Sequence, residues 1–236
     1  MLFIRLISSL SFYFYLTTIM NKHRYLPLFS AAALLMAGAM PVAQAASPAP
    51  AAPIAASAPP AQLVQGAVEN VLGTIQADTS ARGGDLNKIT AVVERQFLPY
   101  TDFEHTTRLA LGATWRSATP EQRQQLFEQF QALLVRSYAL SLTQLREQNV
   151  KFRYDPVRQG TNADDVVVQT HVMNNGDDNQ IAYRLQRTPA GWRIYDINMM
   201  GAWLIEIYRK QFADIVAKDG IDGLLNYLRR HNASQS

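Results

Sequence analysis

The sequence predicts an α+β fold in which helices pack on one face of a four-stranded antiparallel sheet. Three observations carry that prediction. Residues 62–147 repeat apolar side chains at helical spacing. Residues 150–198 alternate them at strand spacing around two turn signals. Residues 204–228 return to helical spacing. Helices, then strands, then helices leave an antiparallel meander with its helices on one side.

The fold is preceded by a leader. Two apolar stretches, 2–19 and 28–40, flank the polar Asn21-Lys22-His23-Arg24. Read from Met20, Lys22 and Arg24 form a positive n-region, 28–40 an h-region, and Ala43-Gln44-Ala45 a small-x-small cleavage site. Residues 1–45 are therefore expected to be a secretory signal, with Met20 as the true start and cleavage after Ala45. The rival, an uncleaved membrane hairpin, is weaker because a span needs about 20 apolar residues. Residues 46–61 are an Ala/Pro-rich linker, expected as a disordered tether. The domain is expected over 62–230, with 231–236 a polar frayed tail.

Within the domain, Val64, Val68, Val71, Leu72 and Ile75 share one helical face, and Leu86, Ile89, Val93 and Phe97 another, stopped by Pro99. Thr101 with Glu104 has the spacing of a capping box for a short helix ending near Gly112. Thr119-Pro120-Glu121-Gln122 is the best start signal: an N-cap, Pro at the first helical position and Gln three residues on. Behind it Leu126, Phe127, Phe130, Leu133, Leu134, Tyr138, Leu142 and Leu145 keep helical spacing for about seven turns. Phe152 and Tyr154 begin the strands, followed by Val166, Val168, Thr170 and Val172. Asn174-Asn175-Gly176-Asp177 is a hairpin turn, and Ile181, Tyr183 and Leu185 lie on the return strand. Thr188-Pro189-Ala190-Gly191 turns into 192–198. Two closing helices are marked by Leu204, Ile205, Tyr208, Phe212 and by Leu224, Leu225, Leu228.

Charge and chemistry exclude more than they assign. The net charge is +3, but Arg5, Lys22 and Arg24 lie before residue 46, where no acid does. Residues 46–236 carry 19 charges of each sign. No basic excess argues for nucleic acid as a partner. There is no cysteine, hence no disulfide and no lipid-anchored start; a hydrophobic core must hold the fold together. Past the leader, His105, His171 and His231 have no metal-pair spacing, and no H-E-x-x-H, G-x-S-x-G or phosphate-binding glycine loop occurs. Asp164-Asp165 and Asp177-Asp178 read as solvated turn acids. No catalytic residue, metal or cofactor is expected. What remains is aromatic and aliphatic surface in every element, which periodicity alone makes ordinary core.

Several segments together resemble the MlaC family of periplasmic lipid carriers, also known as toluene-tolerance auxiliary proteins. They are Leu98-Pro99-Tyr100; Leu111-Gly112 with Trp115-Arg116; Ala118-Thr119-Pro120-Glu121-Gln122-Arg123; Gly191-Trp192 with Tyr195-Asp196; and Tyr208-Arg209-Lys210-Gln211-Phe212 before Gly220-Ile221-Asp222-Gly223-Leu224. The resemblance implies a curved sheet and overlying helices enclosing an apolar pocket for phospholipid, with the headgroup outside. It implies an outer-membrane lipoprotein–porin complex and an inner-membrane ABC transporter with a substrate-binding ring as partners, and outer-membrane lipid asymmetry as the process served. On this reading Phe127, Phe130, Leu134 and Tyr138 of the long helix, Val168, Val172, Tyr183 and Leu185 of the sheet, and Tyr208 are the expected lipid-binding residues. Trp203 is also an expected lipid-binding residue; the chain departs from the family at Gly201-Ala202-Trp203, where this indole is expected to reshape the cavity mouth. Two other classes stay open on the residues alone: a periplasmic hydrolase on a similar α+β cone, and an interaction module whose sheet forms a dimer.

Overall fold

Local chemistry sets where each helix begins. In the computed structural model, residues 53–145, 151–160, 162–174, 177–199 and 201–234 are described. Helix α1 is Pro60–Ala77, opened by Pro at its first position, where the missing N–H has no intrahelical partner in any case. Asp78 caps the four-residue α2, Thr79–Arg82, and Asp85 caps α3, Leu86–Gln96, by accepting from Asn87 N and Lys88 N. A 3₁₀ turn, Leu98–Tyr100, leads to α4, Phe103–Leu111. Its cap is Asp102, whose carboxylate accepts from His105 N at 2.9 Å. The expected Thr101–Glu104 box is thus corrected, because Thr101 instead bridges Ile194 of the sheet. The short α5, Ala113–Ser117, precedes α6, Pro120–Leu145. There the capping box forms: Thr119 Oγ1 accepts from Gln122 N (3.2 Å) while Gln122 Oε1 accepts from Thr119 N (3.1 Å).

The sheet is antiparallel throughout and six-stranded, two more strands than expected. The four long strands are β1 (Lys151–Tyr154), β3 (Asp165–Asn174), β4 (Asp177–Thr188) and β5 (Gly191–Met199). The additions are β2 (Arg158–Gln159) on β3 and β6 (Ala202–Trp203) on β5, two residues each and too short to show a period. Asn174 pairs with Asp177; the Asn175-Gly176 turn lies outside the described residues. Register shifts by one between β4 and β5, since Arg184 faces Asp196 and Leu185 faces Ile194. Tyr195 is the extra residue of a β-bulge, which bends and twists the strand. Gly191 holds φ 96° at the β4–β5 turn, and a Cβ there would collide with the carbonyl oxygen of Ala56.

Helix α7, Leu204–Ser234, breaks at Gly220 (φ 70°, ψ −173°) into the two closing segments expected. The frayed tail is corrected: Asn232 is buried and its amide donates to Gln129 O at 3.0 Å, so the helix end is fastened to α6. The expected disorder is also corrected over the described part of the linker, residues 53–61. Ile54 N donates to Tyr100 Oη at 3.0 Å and Ala58 is buried, so residues 53–59 lie against the domain. The leader and the cleavage site lie outside the described residues.

Three apolar clusters fill the interior. Leu126, Phe130, Leu133, Phe212, Leu224 and Leu228 join α6 to α7 and α4. Leu63 and Val64 of α1 meet Val168, Leu185, Trp192 and Ile194 of the sheet. Val71, Ile75, Ile89, Val92 and Ala139 join α1, α3 and α6. Among the described residues no helix is long and apolar enough to cross a membrane.

Candidate functional site

Between the helices and the sheet the clusters leave a cavity of about 230 Å³ with an almost wholly apolar wall. Helix α1 contributes Val68, Val71 and Leu72; α3 and its exit contribute Val93, Phe97 and Leu98; α6 contributes Leu134, Val135, Tyr138 and Leu142. The opposite wall is the inner sheet face: Phe152, Val172, Ile181, Tyr183, Ile194, Ile197 and Met199. The strand alternation explains most of these, because directly paired residues share a face. Phe152 pairs with Val172, Tyr183 with Ile197 and Ile181 with Met199. The bulge explains Ile194 and Ile197, which are three apart yet both border the cavity. Burial pushes the Tyr138 and Tyr183 phenols far above their usual range, so both stay neutral.

The charged residue at the cavity edge is Asp196, whose side chain is fully buried. Burial raises its pKa, opposed by the groups it bonds. Its Oδ1 accepts from Ile197 N (2.9 Å) and Ile205 N (3.1 Å), and its Oδ2 takes Arg184 Nη1 at 3.1 Å. It thereby caps α7 and ties that helix to β5. Arg184 in turn lies 3.8 Å from the Trp203 ring centroid. A cation–π stack of this kind holds the indole against the guanidinium. Trp203 is not among the residues that line the cavity, which corrects its place among the expected lipid-binding residues.

Leu134, Tyr138, Val172 and Tyr183 are the expected lipid-binding residues that the fold brings together around the cavity. The others lie elsewhere. Val168 and Leu185 are fully buried against Leu63, Val64 and Trp192, in packed core. Phe130 is the centre of an aromatic stack, edge-on to Tyr208 and Phe212 with centroids at 5.0 Å to each, so Phe130 and Tyr208 bind helix to helix. Phe127 faces a separate surface groove of about 920 Å³, which shares Leu98, Thr101 and Phe103 with the cavity wall. Val68, Val71, Val93, Phe97, Phe152, Ile181, Ile194 and Met199 line the cavity without standing out in the sequence. Their apolar faces are visible there, but no sequence signal tells a side chain against a void from one against a neighbour.

The outer sheet face carries a second polar feature. His171 Nδ1 lies 2.8 Å from Asp178 Oδ1 and its Nε2 3.2 Å from Asp155 Oδ2. Hydrogen bonds donated by the ring to Asp178, then Asp155, hold the imidazole pKa above its ordinary value. Asp178 is therefore a half-exposed strand residue with a partner, which corrects its reading as a turn acid. Asp165 is likewise engaged, accepting from Tyr195 Oη at 3.0 Å. Among the described residues, no group of three His, Cys, Asp or Glu side chains is placed to hold a metal ion.

Comparison with known proteins gives consistent matches. The family described as MlaC protein matches residues 65–230. The intermembrane phospholipid transport system binding protein MlaC of Haemophilus influenzae is 28% identical over 179 residues, covering 75% of this chain and 83% of that one. The toluene tolerance protein ttg2D of Pseudomonas putida is 25% identical over 164 residues, covering 69% and 75%. Among solved structures, a phospholipid-binding protein from Ralstonia solanacearum, in complex with a phospholipid, superposes with a TM-score of 0.71. It is 42% identical and covers 75% of this chain and 99% of its own.

Proposed function

This chain belongs to the MlaC family, and on that premise we propose that it binds phospholipid with acyl chains in the cavity and carries it between membranes. The observation that carries the reading is the cavity itself, apolar on the helix wall and on the sheet wall alike. An apolar wall suits chains rather than headgroups. Burying one methylene is worth about 0.8 kcal/mol, so shielding one long acyl chain from water is worth on the order of 10 kcal/mol. A carrier offering that shelter removes most of the barrier to crossing an aqueous gap.

Size adds a condition. Sites for drug-sized ligands run about 300–1,000 Å³. At about 230 Å³ the cavity admits only part of one chain. Loading therefore separates the helix wall from the sheet, and α1, joined to the sheet chiefly through Leu63 and Val64, is the natural element to yield.

The protein acts as a carrier and transforms nothing. It works in the periplasm after export through the 1–45 signal, with the mature chain starting at Ala46. It exchanges lipid with an outer-membrane lipoprotein–porin complex and an inner-membrane ABC transporter with a substrate-binding ring, and so maintains outer-membrane lipid asymmetry. The names of the relatives support binding and transport. The test is transfer of labelled phospholipid from donor to acceptor vesicles. Catalytic amounts of protein should accelerate it severalfold, and no acceleration at any protein concentration would overturn the carrier reading. N-terminal sequencing of periplasmic protein checks the Ala46 start.

A further inference from the structure

The 920 Å³ groove and the 230 Å³ cavity lie end to end along one helix. Phe127 and Gln131 of α6 line the groove; Leu134, Tyr138 and Leu142 continue the same stripe into the cavity. Their spacing of three or four keeps them on one helical face. From Phe127 to Leu142 the stripe runs about 22 Å at 1.5 Å per residue. Leu98, Thr101 and Phe103 belong to both walls, so the two spaces adjoin across the 98–103 turn.

The two halves differ in chemistry. The cavity wall is apolar, whereas the groove carries Arg123 and Arg193. Arg123 is held in place by backbone carbonyls: its Nε donates to Trp115 O (2.8 Å) and one Nη to Arg116 O (3.0 Å). Arg193 donates one Nη to Trp192 O at 2.8 Å. Among the described residues neither guanidinium has a carboxylate within ion-pair distance. A guanidinium has five N–H donors, so most remain available on each. The groove's two acids balance its formal charge but form no ion pair with either arginine. Both Asp102 oxygens are occupied, one by His105 N and the other by Gln186 Nε2 at 2.8 Å. Glu104 is exposed in the first turn of α4, where the helix dipole favours it.

Resting on the carrier reading, we propose that this groove is a headgroup site, where Arg193 and Arg123 bind the phosphate ester of a lipid whose chains occupy the cavity. A guanidinium fork matches a phosphate bidentately, and a groove bearing two arginines beside an apolar cavity matches an amphiphile end for end. The site would favour phosphate-bearing lipids over neutral ones while leaving the group beyond the phosphate in solvent.

The test compares uptake from vesicles doped with either phosphatidylglycerol or diacylglycerol of identical chains. Wild type should take up the phospholipid preferentially. In Arg193→Gln the phospholipid-to-diacylglycerol ratio should fall about tenfold, the low end of the scale of one charge-assisted hydrogen bond. Arg193→Lys, which keeps the charge without the fork, should fall between. Thermal unfolding confirms each variant is folded, and the ratio is internally controlled for any loss of active protein. Equal loss of both lipids, or an unchanged ratio, overturns the headgroup site. Failure of wild type to take up either lipid sinks the carrier reading instead. Inorganic phosphate separates a lipid headgroup from a free anion: it should bind lipid-free protein and be displaced on loading. Equal binding to loaded protein would make the groove an anion site unrelated to lipid, and so overturn the headgroup site.

Discussion

Val168 and Val172 sit on the same strand and face, four residues apart, yet a tryptophan at each should give opposite outcomes. Val168 is fully buried among Leu63, Val64, Leu185 and Trp192 and does not line the 230 Å³ cavity. Val172 is nearly as buried but borders the 230 Å³ cavity. Forcing an indole into close-packed core costs about 1–3 kcal/mol or more. For a domain of this size that lowers the melting temperature by roughly 2–4 °C per kcal/mol, on the order of 4–10 °C for Val168→Trp. At Val172 the indole has space to enter, since the cavity is several times the ~30 Å³ that one water occupies in the liquid. The cost there should stay below about 1 kcal/mol, or about 3 °C. The same indole takes the space of an acyl chain, so Val172→Trp should reduce phospholipid uptake to a small fraction of wild type. The assay is thermal unfolding of delipidated proteins followed by uptake from labelled vesicles; delipidation matters because bound ligand raises apparent stability. Equal destabilisation by the two variants, or unimpaired uptake by Val172→Trp, would refute the assignment of this strand end to the cavity.

Other expectations concern the frame. Thr119→Ala removes one side of the α6 capping box and should cost about 1 kcal/mol in denaturant unfolding; no loss would mean the reciprocal bonds contribute nothing. His171 has a folded pKa raised above the ordinary histidine value, chiefly by Asp178 and then Asp155. Its contribution is therefore full below that value and fades as pH rises through the raised one. The melting-temperature gap between wild type and His171→Gln should be largest near about pH 6 and shrink toward about pH 9. A gap that stays constant across that span would show that the imidazolium contributes nothing.

The fold was legible in the sequence wherever a pattern was long enough to repeat. Helix α6 announced itself through Thr119-Pro120 and seven turns of spacing, and β3 and β4 through alternation around Asn174-Asn175-Gly176-Asp177. The short elements α2, α5, β2 and β6 repeat nothing and passed unseen, whereas the four-residue β1 showed only as the alternating pair Phe152 and Tyr154. The site was legible only in part, for a reason of principle. Alternation says that Val168, Val172, Tyr183 and Leu185 point inward, but not whether the space they meet is filled. Val168 meets α1 side chains, whereas Val172 and Tyr183 lie where α1, α3 and α6 diverge from the sheet. Phe130 was indistinguishable from Leu134 in the pattern, yet its ring is enclosed by Phe103, Tyr208 and Phe212. Trp203 read as a cavity residue because its partner Arg184 lies nineteen positions away on another strand, beyond any local signal.

The central claim is that the apolar cavity holds phospholipid chains. Mass spectrometry of an organic extract of natively purified protein tests it most directly. The expected result is diacyl phospholipid in near-stoichiometric amount, and substantially less from Val172→Trp purified in parallel. Lipid-free wild type that also extracts nothing from vesicles would contradict it.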